Sequence, residues 1–117
     1  MTFTGPVVDA HNDLLMLIDH HRGDEAYFAR HLVPQLRAGG VALQVLPVFI
    51  ETEQQPERAL RRTLELIEQA HRAIAAAGDE VRLCLTGADI DAALDDGAIA
   101  LLLALEGCRR PACGPSR

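Results

Sequence analysis

The chain predicts an α/β fold in which parallel strands alternate with helices. Three observations lead there. Apolar, strand-like runs recur at residues 7–10, 41–50, 81–85 and 99–105. Helical patterns lie between them, and the order β, α, β, α, β, α, β requires a parallel sheet with crossover helices. Polar groups cluster at carboxyl ends of these runs, with His11 and Asp13 after the first and Glu106 after the last. That is the pattern of the active face of a (β/α) barrel.

Length limits how much of a barrel this can be. A complete one needs about 200 residues or more, and this sequence has 117. Hydrophobic residues make up 49%, enough for a buried core and too many for a disordered chain. Aromatics are only 3%, so the apolar material is Ala, Leu, Ile and Val, which suits helices laid on a parallel sheet. The net charge of −6 argues against nucleic acid as a partner. All eleven basic residues are Arg, which reads as a coding bias.

Met1-Thr2-Phe3-Thr4 shows no basic segment followed by an apolar one, and no apolar run approaches the ~18 residues of a membrane span. The expectation is therefore a cytoplasmic location without membrane contact. Cys84, Cys108 and Cys113 are then reduced thiols.

Val7 to Ala10 reads as the first strand. Leu14 to Ile18 suits a helical turn or two, and Asp19 to Asp24 a loop. His31 to Ala38 is a short helix with Pro34 in its first turn, ended by Gly39-Gly40. Val41 to Ile50 is a buried strand in which Pro47 must sit at the end or at a bulge, because it cannot donate to the ladder. The long helix that follows begins near Pro56 and ends near Gly78. Leu60, Leu64, Ile67, His71 and Ile74 form its apolar stripe, and Arg61–Glu65 and Glu68–Arg72 are ion pairs on its outer side. Val81 to Leu85 is a short strand. Thr86-Gly87-Ala88-Asp89 resembles a capping box opening a helix that Gly97 closes, and Ile99 to Leu105 is the last strand. From Cys108 the composition changes to a tail with charge +3, two prolines and no periodicity, read as an irregular end or an out-of-frame translation.

The chemistry-bearing candidates follow from this layout. Residues i and i+2 of an extended segment point the same way, so His11 and Asp13 share a face while Asn12 points away. Imidazole and carboxylate together suit zinc or another divalent metal. Glu106 ends a buried strand, where an acid has no packing role. The other histidines invite blander readings: His71 packs on the helix stripe, and His20, His21 and His31 face solvent. Arg22-Gly23-Asp24 is a tripeptide common by chance. Cys108 and Cys113 lack a second ligand pair for a zinc knuckle. No phosphate-binding loop, dinucleotide fingerprint or nucleophile elbow is present.

Three stretches together resemble the membrane (renal) dipeptidase family of zinc peptidases. Val8-Asp9-Ala10-His11-Asn12-Asp13-Leu14 is similar to the family's D-x-H-N-D-L opening. Leu32 to Gln44 is similar to its L-P-x-L-R-x-G-G-V-x-x-Q segment, and Ala104-Leu105-Glu106-Gly107 to its strand ending in E-G. The resemblance covers residues 6–107. It implies the N-terminal portion of a (β/α)8 TIM barrel, truncated after about the third barrel strand, with residues 1–107 in the barrel domain and 108–117 as the tail. It also implies a two-zinc site that hydrolyses dipeptides by a metal-activated hydroxide. His11 and Asp13 would bind the first zinc and Glu106 would bridge both.

The family's second-zinc histidines, substrate-binding histidine and arginine, and late aspartate have no counterpart here. No catalytic set is complete, and the isolated chain is expected to have little or no activity. The open sheet edge is expected to favour dimerisation or aggregation. Two other readings fit the residues less well: another metal-dependent amidohydrolase, which usually opens with H-x-H, and a non-catalytic α/β module binding a partner through its long helix.

Overall fold

The computed structural model describes residues 4–51 and 57–106. The elements run β1 (Val7–Asp9), α1 (Leu14–His20), a π-helical turn (Phe28–Leu32) continuing into α2 (Val33–Ala38), β2 (Val41–Val48), α3 (Ala59–Ala77), a 3₁₀ turn (Gly78–Glu80), β3 (Val81–Leu83), α4 (Gly87–Asp95) and β4 (Ile99–Leu105). All strands are parallel, as the alternation requires, and the sheet order is β1-β2-β4-β3. Three staves, β1, β2 and β4, thus stand side by side in chain order. β3 is a three-residue strand added outside β4, pairing only with Ile99, Ala100 and Leu101. This is a partial barrel that reaches its third stave at β4.

The sheet has two differently covered faces. Leu46, Val48, Ile99 and Leu101 pack with residues of α1, α2 and α3, such as Leu15, Phe28, Val33, Leu66 and Ala70, in the main core. Ala100 packs on the opposite face with Cys84, Ala93 and Ala98, joined by Leu43, Ile90 and Leu102. Alternation along the strands produces this division, and α4 therefore lies across the sheet from the other helices. Toward the carboxyl ends this second face is open: Ala104 is exposed and Val8 is 65% exposed.

Several boundaries differ from the sequence reading. The helix before β2 begins at Phe28 rather than His31, because Phe28 and Leu32 add buried side chains to the same face. Asp19 and His20 complete α1 instead of starting a loop. β2 stops at Val48 and β3 at Leu83. Pro56 and residues 108–117 lie outside the described residues. Gly40 turns the chain into β2 at φ +72°, where a side chain would be strained.

Pro47 sits one residue before the end of β2, paired with Ala104. Val48 directs its carbonyl to β4, accepting Glu106 N–H at 3.0 Å. Alternate residues face alternate neighbours, so the Pro47 nitrogen faces the β1 side. β1 has already ended there, its last partner pair being Asp9 and Gln44. No ladder bond is lost.

The apolar face of α3 is rotated from the expected one. The buried residues are Leu66, Ala70, Ala73 and Ala77, with Ile67 and Ile74 partly buried. Leu60 is 72% and Leu64 59% exposed, and His71 is exposed rather than packed. The small alanines let the helix lie close to the sheet, and this close approach outweighs the larger leucines one step around the helix. The Glu68–Arg72 pair forms at 2.8 Å, whereas Glu65 pairs with Arg62 at 3.7 Å rather than with Arg61. The capping box of α4 is present, with Asp89 N–H donating to Thr86 Oγ1 and Thr86 N–H to Asp89 Oδ2, each at 3.1 Å.

Candidate metal centre

His11, Asp13 and Glu106 meet. One ligand atom from each lies within 4.8 Å of the others. His11 Nε2 is 3.5 Å from Asp13 Oδ1 and 3.5 Å from Glu106 Oε2. The convergence crosses β2: His11 and Asp13 follow β1, Glu106 follows β4, and β2 stands between. Two strand spacings are about 10 Å, which an imidazole and a glutamate reaching inward together can span.

Each ligand position has a local cause. Asp9 ends β1 and its Oδ1 accepts the His11 N–H at 3.1 Å, an Asx turn that bends the chain out of the sheet. Leu14 N–H donates to Asn12 O at 2.7 Å, tightening the next turn into α1. Asp13 is the N-cap of α1, a position where an Asp side chain usually accepts a first-turn amide. It makes no such bond, and faces His11 instead. Glu106 is held by its own backbone, through the bond from its N–H to Val48 O.

The donor set suits a divalent cation. One imidazole nitrogen and two carboxylates are a zinc-type combination, and they are half-exposed, with side-chain exposures of 55%, 61% and 42% for His11, Asp13 and Glu106. Among the described residues neither carboxylate has an arginine partner. The remaining histidines stand apart from this cluster. His20 and His31 are exposed as expected. His21 is not simply solvent-facing: it stacks on Tyr27 with ring centroids 3.7 Å apart, and its Nδ1 donates to Leu17 O at 2.9 Å.

Polar residues that the sequence reading passed over hold the frame that carries these ends. Arg62 of α3 donates to Asp19 at the end of α1 and to Glu51 after β2, with Nε–Oε2 at 3.1 Å and Nη2–Oε1 at 2.8 Å. Burial pushes the Asp19 carboxyl up, but hydrogen bonds from Arg62 and Arg22 outweigh it and hold it below the usual range. The hydrogen bond from Arg62 also lowers Glu51, and both carboxylates keep Arg62 charged. Arg37 donates to Gly97 O at 2.9 Å and Glu80 O at 3.0 Å, tying α2 to the starts of β3 and β4 at the end of the sheet opposite His11, Asp13 and Glu106. Gln44, the one polar residue of the run 41–50, is fully buried. Its position in an apolar strand was a readable signal. The long-range partners of Arg37 and Arg62 left no local one.

Two solved structures share this arrangement of backbone. A metallopeptidase described as dipeptidase AC superposes with a TM-score of 0.77 at 20% identity, over 87% of this chain and 35% of its own. A metallopeptidase from Rhodobacter sphaeroides, liganded with a phosphinate mimic of the dipeptide L-Ala-D-Ala, gives 0.78 at 19% identity, over 87% of this chain and 38% of its own. The chain therefore spans little more than a third of the length of these structures. At that identity the likeness establishes the fold, a portion of their barrel. The family is established separately, since the model for membrane dipeptidase (peptidase family M19) matches residues 2–110. With a parallel sheet of the right topology and a convergent imidazole–carboxylate cluster at its carboxyl ends, the chain belongs to the membrane dipeptidase family.

Proposed function

We propose that this chain carries the first part of a two-zinc dipeptidase centre, with His11 and Asp13 as ligands of one ion and Glu106 placed to bridge to a second. The observation that supports this is the meeting of His11, Asp13 and Glu106 ligand atoms within 4.8 Å from two separate staves. Zinc, when bound, supplies Lewis acidity and a water of lowered pKa. The chain's own residues hold the imidazole and carboxylates in place: Asp9 through the His11 amide, and β2 through the Glu106 amide. The substrate class is a dipeptide whose scissile carbonyl would lie over this rim.

Family enzymes complete the site from later strands, and the described residues hold no second cluster of metal-ligating side chains. The 117-residue chain is thus expected to bind metal without turning over dipeptides. We further propose that residues 1–107 form the barrel segment and that the side of β4 beyond Leu101, unpaired among the described residues, favours self-association.

Calorimetric titration with Zn²⁺ tests the ligand assignment. The chain should bind, and Asp13→Ala and Glu106→Ala should each weaken binding at least about tenfold, which is about 1.4 kcal/mol. Unchanged affinity in both variants refutes the assignment. Zinc-dependent hydrolysis of dipeptides by the pure chain refutes the incomplete-site reading.

A further inference from the structure

We infer, building on the metal-centre reading proposed above, that Gln44 is a positioning residue: its buried amide pins the carboxyl end of β1 and so sets the turn that presents His11 and Asp13. Gln44 is 0% exposed in the middle of β2, among apolar neighbours. Its Nε2 donates to Val45 O at 2.9 Å and reaches across to Asp9 O at 3.4 Å. The opposite amide orientation would set Oε1 against two carbonyl oxygens, so chemistry fixes the donor assignment. Among the described residues Oε1 is buried without a partner. A buried unsatisfied acceptor is destabilising, and Met or Leu would fill the same space without one. What Gln44 supplies in exchange is a donor for Val45 O and, across the strands, one for Asp9 O.

β1 needs that bond more than its neighbours do. It has three residues, pairs among the described residues only with β2, and its register shifts between Val7 and Val8. Asp9 is its last paired residue, opposite Gln44 itself. Beyond Asp9 the chain bends, and the Asp9 carboxylate accepts the His11 amide at 3.1 Å. Gln44 therefore holds Asp9 by its carbonyl while Asp9 holds His11 by its carboxylate. Freeing Asp9 would loosen the turn from which the imidazole reaches 3.5 Å from Asp13 and Glu106. Outer partners of this kind orient metal ligands, and their loss typically weakens metal affinity about 10–100-fold.

Gln44→Met separates positioning from mere packing. It keeps the shape, and removal of the unsatisfied acceptor offsets the bonds that Val45 O and Asp9 O give up, so the melting temperature should change little. The backbone amide order parameters of Ala10 to Asp13, measured by ¹⁵N relaxation, should fall from the rigid value of about 0.85 toward about 0.6. Those of Leu66 to Ala77 should not change. Co²⁺ titration followed by absorbance should show a Kd weakened about 10–100-fold. Unchanged order parameters at residues 10–13 overturn the inference whether or not cobalt binds. If the unaltered chain binds no Co²⁺, the metal-centre reading falls and the order parameters still decide the role of Gln44. Should Gln44→Met fail to fold, Gln44→Leu makes the same test, since it too removes the amide that reaches the Asp9 carbonyl. Order at residues 10–13 equal to that of the unaltered chain then overturns the inference.

Discussion

Replacing Arg62 by Ala should cost about 2–4 kcal/mol of stability. The Arg62 side chain is 11% exposed, and its guanidinium serves two carboxylates, Asp19 at 10% and Glu51 at 29% exposure. Removing one member of a buried ion pair costs about 3–5 kcal/mol, because the partner stays behind uncompensated. Two features reduce that figure here. Asp19 keeps Arg22, although that side chain is 52% exposed and its attraction is screened. Glu51 is open enough to recover water. For a domain of this size each kcal/mol shifts Tm by roughly 4–8 °C, so a fall of about 8–32 °C is expected. Urea unfolding followed by circular dichroism gives the free energy directly. The double variant Arg62→Met with Asp19→Leu provides the control. An apolar pair of similar volume should recover most of the loss, since desolvation consumes much of what a buried ion pair contributes. A loss below about 1 kcal/mol for Arg62→Ala, or no recovery in the double variant, would show that α1, β2 and α3 are not joined through this network.

The same network sets an acid limit. Asp19 and Glu51 titrate lower in the folded chain than in the unfolded one, so the unfolded state binds more protons and stability rises with pH across their range. Their contribution is complete above about pH 5 and is lost as pH falls from about 4 through the lowered native values. Arg62→Ala should flatten that acid limb, and acid titrations of the two proteins would show it. On α3, Leu64→Ala should change stability by no more than about 0.5 kcal/mol because the side chain is 59% exposed. Ala70→Leu should cost about 1–3 kcal/mol by overfilling the contact with the sheet. Chemical denaturation of both variants checks the helix face, and a larger loss at Leu64 would restore the face that the apolar periodicity suggests.

That helix shows where sequence reading works and where it stops. Its existence and its outer Glu68–Arg72 pair were legible, because both depend on spacing within one element. Its buried face was not, because side-chain size pointed to Leu60 and Leu64 while the sheet selected the residues that allow closest approach. The capping box at Thr86 and Asp89 was legible for the same local reason. The sheet order was not. Nothing in residues 81–85 distinguishes a stave of the barrel from a short strand laid outside β4, since both are brief apolar runs before a capped helix. Ladder partners decide this, and they lie 18 positions away, as with Val81 opposite Ile99.

The candidate site divides along the same line, and Glu106 is the instructive case. An acid directly after an apolar strand was the signal that singled it out. Glu51 follows the apolar run of β2 and carries the same signal, yet both its oxygens are taken by Arg62. Glu106 has only the His11 imidazole within ion-pair range among the described residues, and Asp13 stands in the same position. The difference between a structural acid and a candidate ligand is therefore the arginine 11 positions further along the chain from Glu51, which no local pattern reveals. Arg62 thereby ties α3 both to the end of α1, through Asp19, and to the segment after β2, through Glu51.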